Sequence, residues 1–230
     1  MRILLGLCAI LIPNLLLAGP YNEGILTLGK RDFYVGQTDW EPTNLRIPRF
    51  YFADSEWLKS IWQADPILRD HTLFMQQTGI PSRQQMDRNR PSESRYRLLE
   101  TDPDYLSDGY RVNRTIGGLS IALTPISSDL DYMVVCSDSN KRKKIMACSL
   151  KVVYPHSTHV ILTARISYVL AGGIPLPVYA ARVEGIAQRL VQFVSCLDVT
   201  DREPTDHLAH ISHLPSDNPD FESCKMAFLF

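Results

Sequence analysis

The residues best suited to chemistry are gathered in a few short stretches. In CSDSNKRKKIMAC, Cys136 and Cys148 enclose the consecutive cations Lys141, Arg142, Lys143 and Lys144. Paired thiols can hold zinc, exchange electrons or form a structural disulfide. Zinc needs four well-spaced ligands and dithiol redox catalysis favours Cys-x-x-Cys, and this stretch has neither pattern. The four cations have no interleaved aromatic residues on which bases could stack, so nucleic acid is not expected as a partner. They read either as a solvated turn or as a contact surface for an acidic protein.

In DHLAHISH, His207, His210 and His213 recur every third residue. On a helix His213 would be rotated roughly 120° from His207, so one face would not present all three to a metal. Ser216, Asp217 and Asn218 form an isolated Ser-Asp-Asn triplet with no Ser-x-x-Lys to accompany it. Gly-x-Ser-x-Gly and His-Glu-x-x-His are absent from the chain. Asp102, Asp104 and Asp108 are accounted for by a turn. The sequence therefore names no catalytic residue, no metal ligand set and no cofactor. Asn113, Arg114 and Thr115 form a sequon, relevant only where exported chains are glycosylated.

Compartment follows from the first residues. Arg2 precedes an apolar run over residues 3–17, then Ala18 and Gly19, the layout of a secretory signal. Fifteen residues of helix reach only about 22 Å, short of a ~30 Å hydrocarbon core. Residues 1–18 are therefore expected to be removed, with an uncleaved anchor as the alternative; removal leaves no membrane span and a single α+β domain over residues 19–230, periplasmic or secreted. Cys8 would leave with the signal. Cys136, Cys148, Cys196 and Cys224 remain, an even set that in an oxidising compartment implies two disulfides.

The elements that must position these residues are clearest after residue 119. Tyr132, Val134 and Cys136 share one parity, and Cys148, Leu150 and Val152 share the matching one. A hairpin pairing Cys136 with Cys148 also pairs Val134 with Leu150 and Tyr132 with Val152, apolar on every rung, and a disulfide fits that register. By elimination Cys196 would join Cys224 and tie down a tail over residues 200–230. Alternation from Val160 to Leu170 predicts a long third strand, with turns near residues 140–143 and 155–157. From Pro177 the period changes, and Tyr179, Val183, Ile186, Leu190, Phe193 and Leu197 make the stripe of an amphipathic helix. The fold class expected is α+β, an antiparallel sheet with this C-terminal helix packed on one face.

The N-terminal half gives weaker signals. GILTLGKRDFYVG reads as two short strands around Gly29 and Lys30, and NLRIPRFYF as an extended segment. Asp54 is a candidate cap for a short helix burying Trp57, Leu58, Ile61 and Trp62. Residues 79–94 lose hydrophobic periodicity and read as a polar loop. RYRLLE and GYRVNR read as a hairpin across the Asp-rich turn.

The export signal, the RIPRFYF segment, the cysteine-spaced hairpin, the long strand and the VEGIAQRLVQF helix together resemble small exported bacterial proteins. Most of these have no assigned function, and some are periplasmic immunity proteins that neutralise interbacterial toxins. The resemblance covers residues 45–52 and 132–197 and carries over no catalytic residue. It implies a non-enzymatic exported protein with a protein partner. The competing expectations are a secreted hydrolase, whose site would set a Ser or carboxylate beside His71, His156 or His159, and an envelope structural component. A formal net charge of −1 gives no global attraction to polyanions, so any partner must be recognised locally.

Overall fold

The computed structural model describes residues 24–36, 49–90, 96–98, 108–115, 120–139 and 144–200, with side chains excepted at 96–98, 115, 138 and 139. Strands β1 (Ile25–Leu28) and β2 (Arg31–Tyr34) form a hairpin of their own. Its two-residue turn has Gly29 at φ 57° and Lys30 at φ 66°, both left-handed, as the tightest antiparallel connections require. The main sheet has eight strands. They are β3 (Arg49–Tyr51), β4 (Thr72–Gln77), β5 (Tyr96–Leu98), β6 (Tyr110–Thr115), β7 (Ser120–Pro125), β8 (Tyr132–Ser139), β9 (Lys144–Val153) and β10 (Val160–Ser167). Their spatial order is β3-β4-β10-β9-β8-β7-β6-β5, every pair antiparallel. Strands β5 to β10 therefore run as a meander that brings β10 back beside β4.

One face of this sheet is closed by helix α3 (Leu176–Leu197), by the β1–β2 hairpin and by helix α1 (Glu56–Ala64). The six apolar positions expected on the α3 stripe, from Tyr179 to Leu197, are all buried against Val134, Leu150, Val152, Leu162 and Ala164. Fully burying a side chain of this size contributes about 1.5–3 kcal/mol, so one helix face accounts for much of the core. The α+β architecture expected from the change of period is the one observed. Beyond α3 the chain is held by a bridge between Asp198 and Phe33 and by Val199 N–H donating to Asp32 O at 2.8 Å.

The β8–β9 register is the expected one, with Tyr132 opposite Val152, Val134 opposite Leu150 and Cys136 opposite Cys148. The last two form a disulfide, and both cysteines are buried in the core. The register slips by one residue at Ser137/Asp138, which takes up the odd spacing of the turn that follows.

Four expectations need correction. Residues 79–94 are not a continuous loop, because α2 (Ser82–Asn89) forms within them. One apolar residue suffices to dock it: Met86 is buried against Met133, Val153 and Ile161, while the Ser82 hydroxyl donates to Val160 O at 3.2 Å. The cap of α1 is Ser55, not Asp54. Ser55 Oγ accepts from Leu58 N–H and donates to Val35 O, whereas Asp54 ends a 3-10 turn and accepts from Tyr51 N–H. Strand β10 stops at Ser167, so Val169 and Leu170 lie in an exposed turn, Leu170 at 104%. That turn closes through Gly173, at φ 79°, where a Cβ would stand 2.9 Å from Ile145 O. Finally, the reading of the sequence missed β4 altogether. Its burial pattern has three consecutive buried residues, Leu73, Phe74 and Met75, so it lacks the alternation that betrays a half-buried strand.

Candidate interaction surface

Among the described residues, the second face of the sheet is roofed at one end by a helix, and Ala122, Asn113 and Thr163 on the same face are also buried. Helix α2 covers Met133, Val153 and Ile161 there. Past it, strand parity turns Arg49 of β3, Phe74 of β4, Arg165 of β10 and Lys151 of β9 to the same side, with Arg111 of β6 farther along. Every residue of β3, β4 and β6 to β10 that shares this parity and has a described side chain is apolar, polar or cationic; none is a carboxylate. Asp131, just outside β8 at the α2 end, is taken up by Arg90 at 2.6 Å and, at 3.9 Å, by Arg83. Among the described residues, the charged side chains that the strands turn to this face are cations.

The cations are organised around an aromatic ring. The Arg49 and Arg165 guanidinium carbons lie 5.0 and 4.9 Å from the Phe74 ring centroid, within cation–π range. Tyr51 packs on the same ring at 5.0 Å, and Phe74 is left only 2% exposed. Arg49 is further fixed by donating to Tyr51 OH and Gln76 Oε1, each at 3.2 Å. Across Thr163 from Phe74 stands Lys151. Its ammonium has no hydrogen-bond or ion-pair partner among the described residues. Burial first, then the charges of Arg165 and Arg49, hold it below the usual lysine range. Beside Arg165, the Ser149 hydroxyl is buried and likewise without a partner among the described residues.

Lys141, Arg142 and Lys143 lie outside the described residues. Lys144 is exposed at the start of β9, seven residues from Lys151, or about 23 Å along an extended strand. Of the expected disulfide set, Cys136 and Cys148 are joined. Cys196 is also disulfide-bonded, and its expected partner Cys224 lies outside the described residues. The signal segment, the tail over residues 201–230, its three histidines and the Ser-Asp-Asn triplet lie outside them too.

The histidines named for a hydrolytic site do not meet an activated nucleophile among the described residues. His71 is buried, with neither ring nitrogen hydrogen-bonded, and its desolvation holds the imidazole below its ordinary pKa. His156 lines a groove of about 400 Å³ between the β9–β10 turn and the start of α2, together with Ser82, Arg83 and Ser157. Both serine hydroxyls there are committed to the backbone: Ser82 donates to Val160 O, and Ser157 donates to Gly29 O while accepting from His159 N–H. His159 Nδ1 pairs with the Thr158 hydroxyl at 2.8 Å.

On the α3 face, Glu184 lies in a polar cluster, reached by Tyr132 OH, Ser128 Oγ and Gln188 Nε2. Tyr132 also contacts Tyr110 OH at 2.7 Å, and burial drives its phenol well above the ordinary tyrosine range. These donors brace α3 against β8 and leave Glu184 hydrogen-bonded from three sides. No group of three or more His, Cys, Asp or Glu side chains is placed to hold a metal among the described residues, and no described helix is long and apolar enough to cross a membrane. Asn113 of the sequon is buried within β6 between two paired strands.

Comparison with known protein families, characterised proteins and solved structures finds no match to this chain.

Proposed function

We propose that this chain is an exported, non-catalytic protein-binding protein that works as an immunity-type inhibitor, blocking a toxic partner by occupying it. The observation that supports the reading is the pair of cations Lys151 and Arg165 on neighbouring strands of the second sheet face, where no carboxylate of the same strand parity occurs among the described residues. Assembling like charges on a scaffold costs stability, and a partner's opposite charge offsets that cost on binding. The buried Cys136–Cys148 disulfide supports an oxidising compartment, hence export into a periplasm or the exterior.

The test is expression with residues 1–18 intact and a C-terminal affinity tag. The expected product is a shortened, exported chain that co-purifies in fixed ratio with one protein. Reconstitution from purified components then removes that protein's toxic activity. Recovery of the chain alone, or a hydrolytic activity intrinsic to it, overturns the reading.

A further inference from the structure

We infer that Lys151 and Arg165 form a paired-carboxylate site, which takes an acidic segment of a protein partner in extended conformation across β9 and β10. The inference deepens the protein-binding reading and rests on it for its biological meaning. Its geometry stands alone. Lys151 faces Thr163 and Arg165 faces Ser149, so the two cations are diagonal neighbours on adjacent antiparallel strands. Such neighbours stand roughly 7–8 Å apart. Carboxylates at alternate positions of an extended chain are about 6.7 Å apart and on one side of it, a matching span.

Three further features fit this ligand. Arg165 is held over the Phe74 ring, its guanidinium carbon 4.9 Å from the centroid, so part of its conformational entropy is already lost before anything binds. Lys151 beside it, half-buried, has no charge partner among the described residues, and a carboxylate there would be screened less than at a fully exposed position. The ring itself is covered by the two guanidinium groups and Tyr51, which leaves no free aromatic face for a base. That distinguishes the site from a single-stranded nucleic-acid platform, which needs exposed rings.

The experiment needs no knowledge of the partner. A fluorescently labelled octapeptide of alternating glutamate and serine is titrated with the intact, oxidised protein at low and at physiological salt. The same titration is run with a labelled oligothymidylate of eight nucleotides and with inorganic phosphate as competitor. Saturable peptide binding is expected, at least tenfold tighter than the oligonucleotide and weakened by salt. It should fall at least tenfold in Lys151→Gln and in Arg165→Gln, and remain unchanged in Arg182→Glu on α3. Charge reversals Lys151→Glu and Arg165→Glu give a second pair of variants, and circular dichroism confirms that each one is folded. Absence of peptide binding, equal binding by the glutamine variants, displacement by millimolar phosphate alone, or a preference for the oligonucleotide would each overturn the inference. A failed search for a protein partner would leave these titrations untouched, so the two readings fail separately.

Discussion

Lys151 is the residue at which binding and stability pull in opposite directions. An ammonium half-buried beside two guanidinium groups, with no partner among the described residues, is held there against its own electrostatics. Replacing it with Met keeps the aliphatic stem and removes the charge. We expect Lys151→Met to melt ~1–3 °C higher than the parent while losing affinity for an acidic partner; an unchanged or lower melting temperature would show that Lys151 is satisfied in the fold. Asp65 and Arg189 make the opposite case. Their ion pair at 2.5 Å is largely buried, and Asp65 Oδ1 also caps the turn by accepting from Ile67 and Leu68 N–H. Asp65→Ala removes a largely buried ion-pair partner of Arg189 together with two acceptor bonds of the turn, and should cost about 3–5 kcal/mol in denaturant unfolding. Neither pairing could be read from the sequence. Arg189 lies off the apolar stripe of α3, its partner is 124 residues away, and spacing rules reach only a few residues along a helix.

Individual elements differ in how far they announced themselves. The β8–β9 hairpin was legible down to its disulfide, because a period of two with cysteines on the apolar parity admits only one register that matches every rung. Helix α3 was legible for the same reason at period 3.6. Strand β4 was not, since buried residues on both of its faces remove the alternation, and α2 was not, since Met86 alone docks it. The second face shares that opacity: Arg49 of β3 joins Lys151 of β9 and Arg165 of β10 across about a hundred residues of chain, with nothing in their spacing to announce it. Two outcomes belong at this scale. Cys136→Ala with Cys148→Ala should destabilise the fold by roughly 3 kcal/mol, visible also as a lower melting temperature on reduction of the parent. Met86→Ala should release α2 while sparing the main core, so amide exchange should rise sharply over residues 82–89 and little in β9 and β10.

At the scale of the whole molecule, acid is expected to weaken the fold in two stages. His71 lies in the core, where burial holds its imidazole below the ordinary pKa against the opposing charge of Asp70. The unfolded chain therefore binds a proton that the folded one resists, so stability falls as pH drops below about 6.5. Asp198 acts lower. Burial would raise its carboxyl, but hydrogen bonds from Thr200, Tyr154 and Arg31 outweigh burial and hold it below the usual range. Its contribution is complete above about pH 3.9 and is lost as pH falls through the folded value. Melting temperatures between pH 7 and 5 should thus decline in the parent and decline less in His71→Phe; identical slopes would remove His71 from the account.

On the proposed function, a molecule of nearly neutral net charge presents cations on one sheet face to an acidic protein. The most direct measurement is co-purification of the exported partner with the double variant Lys151→Glu/Arg165→Glu, read beside the melting curve of the variant. The account predicts a folded, exported chain from which the partner is lost and whose protection against that partner's toxicity is gone. Retention of the partner in the parental ratio by a folded double variant would contradict it.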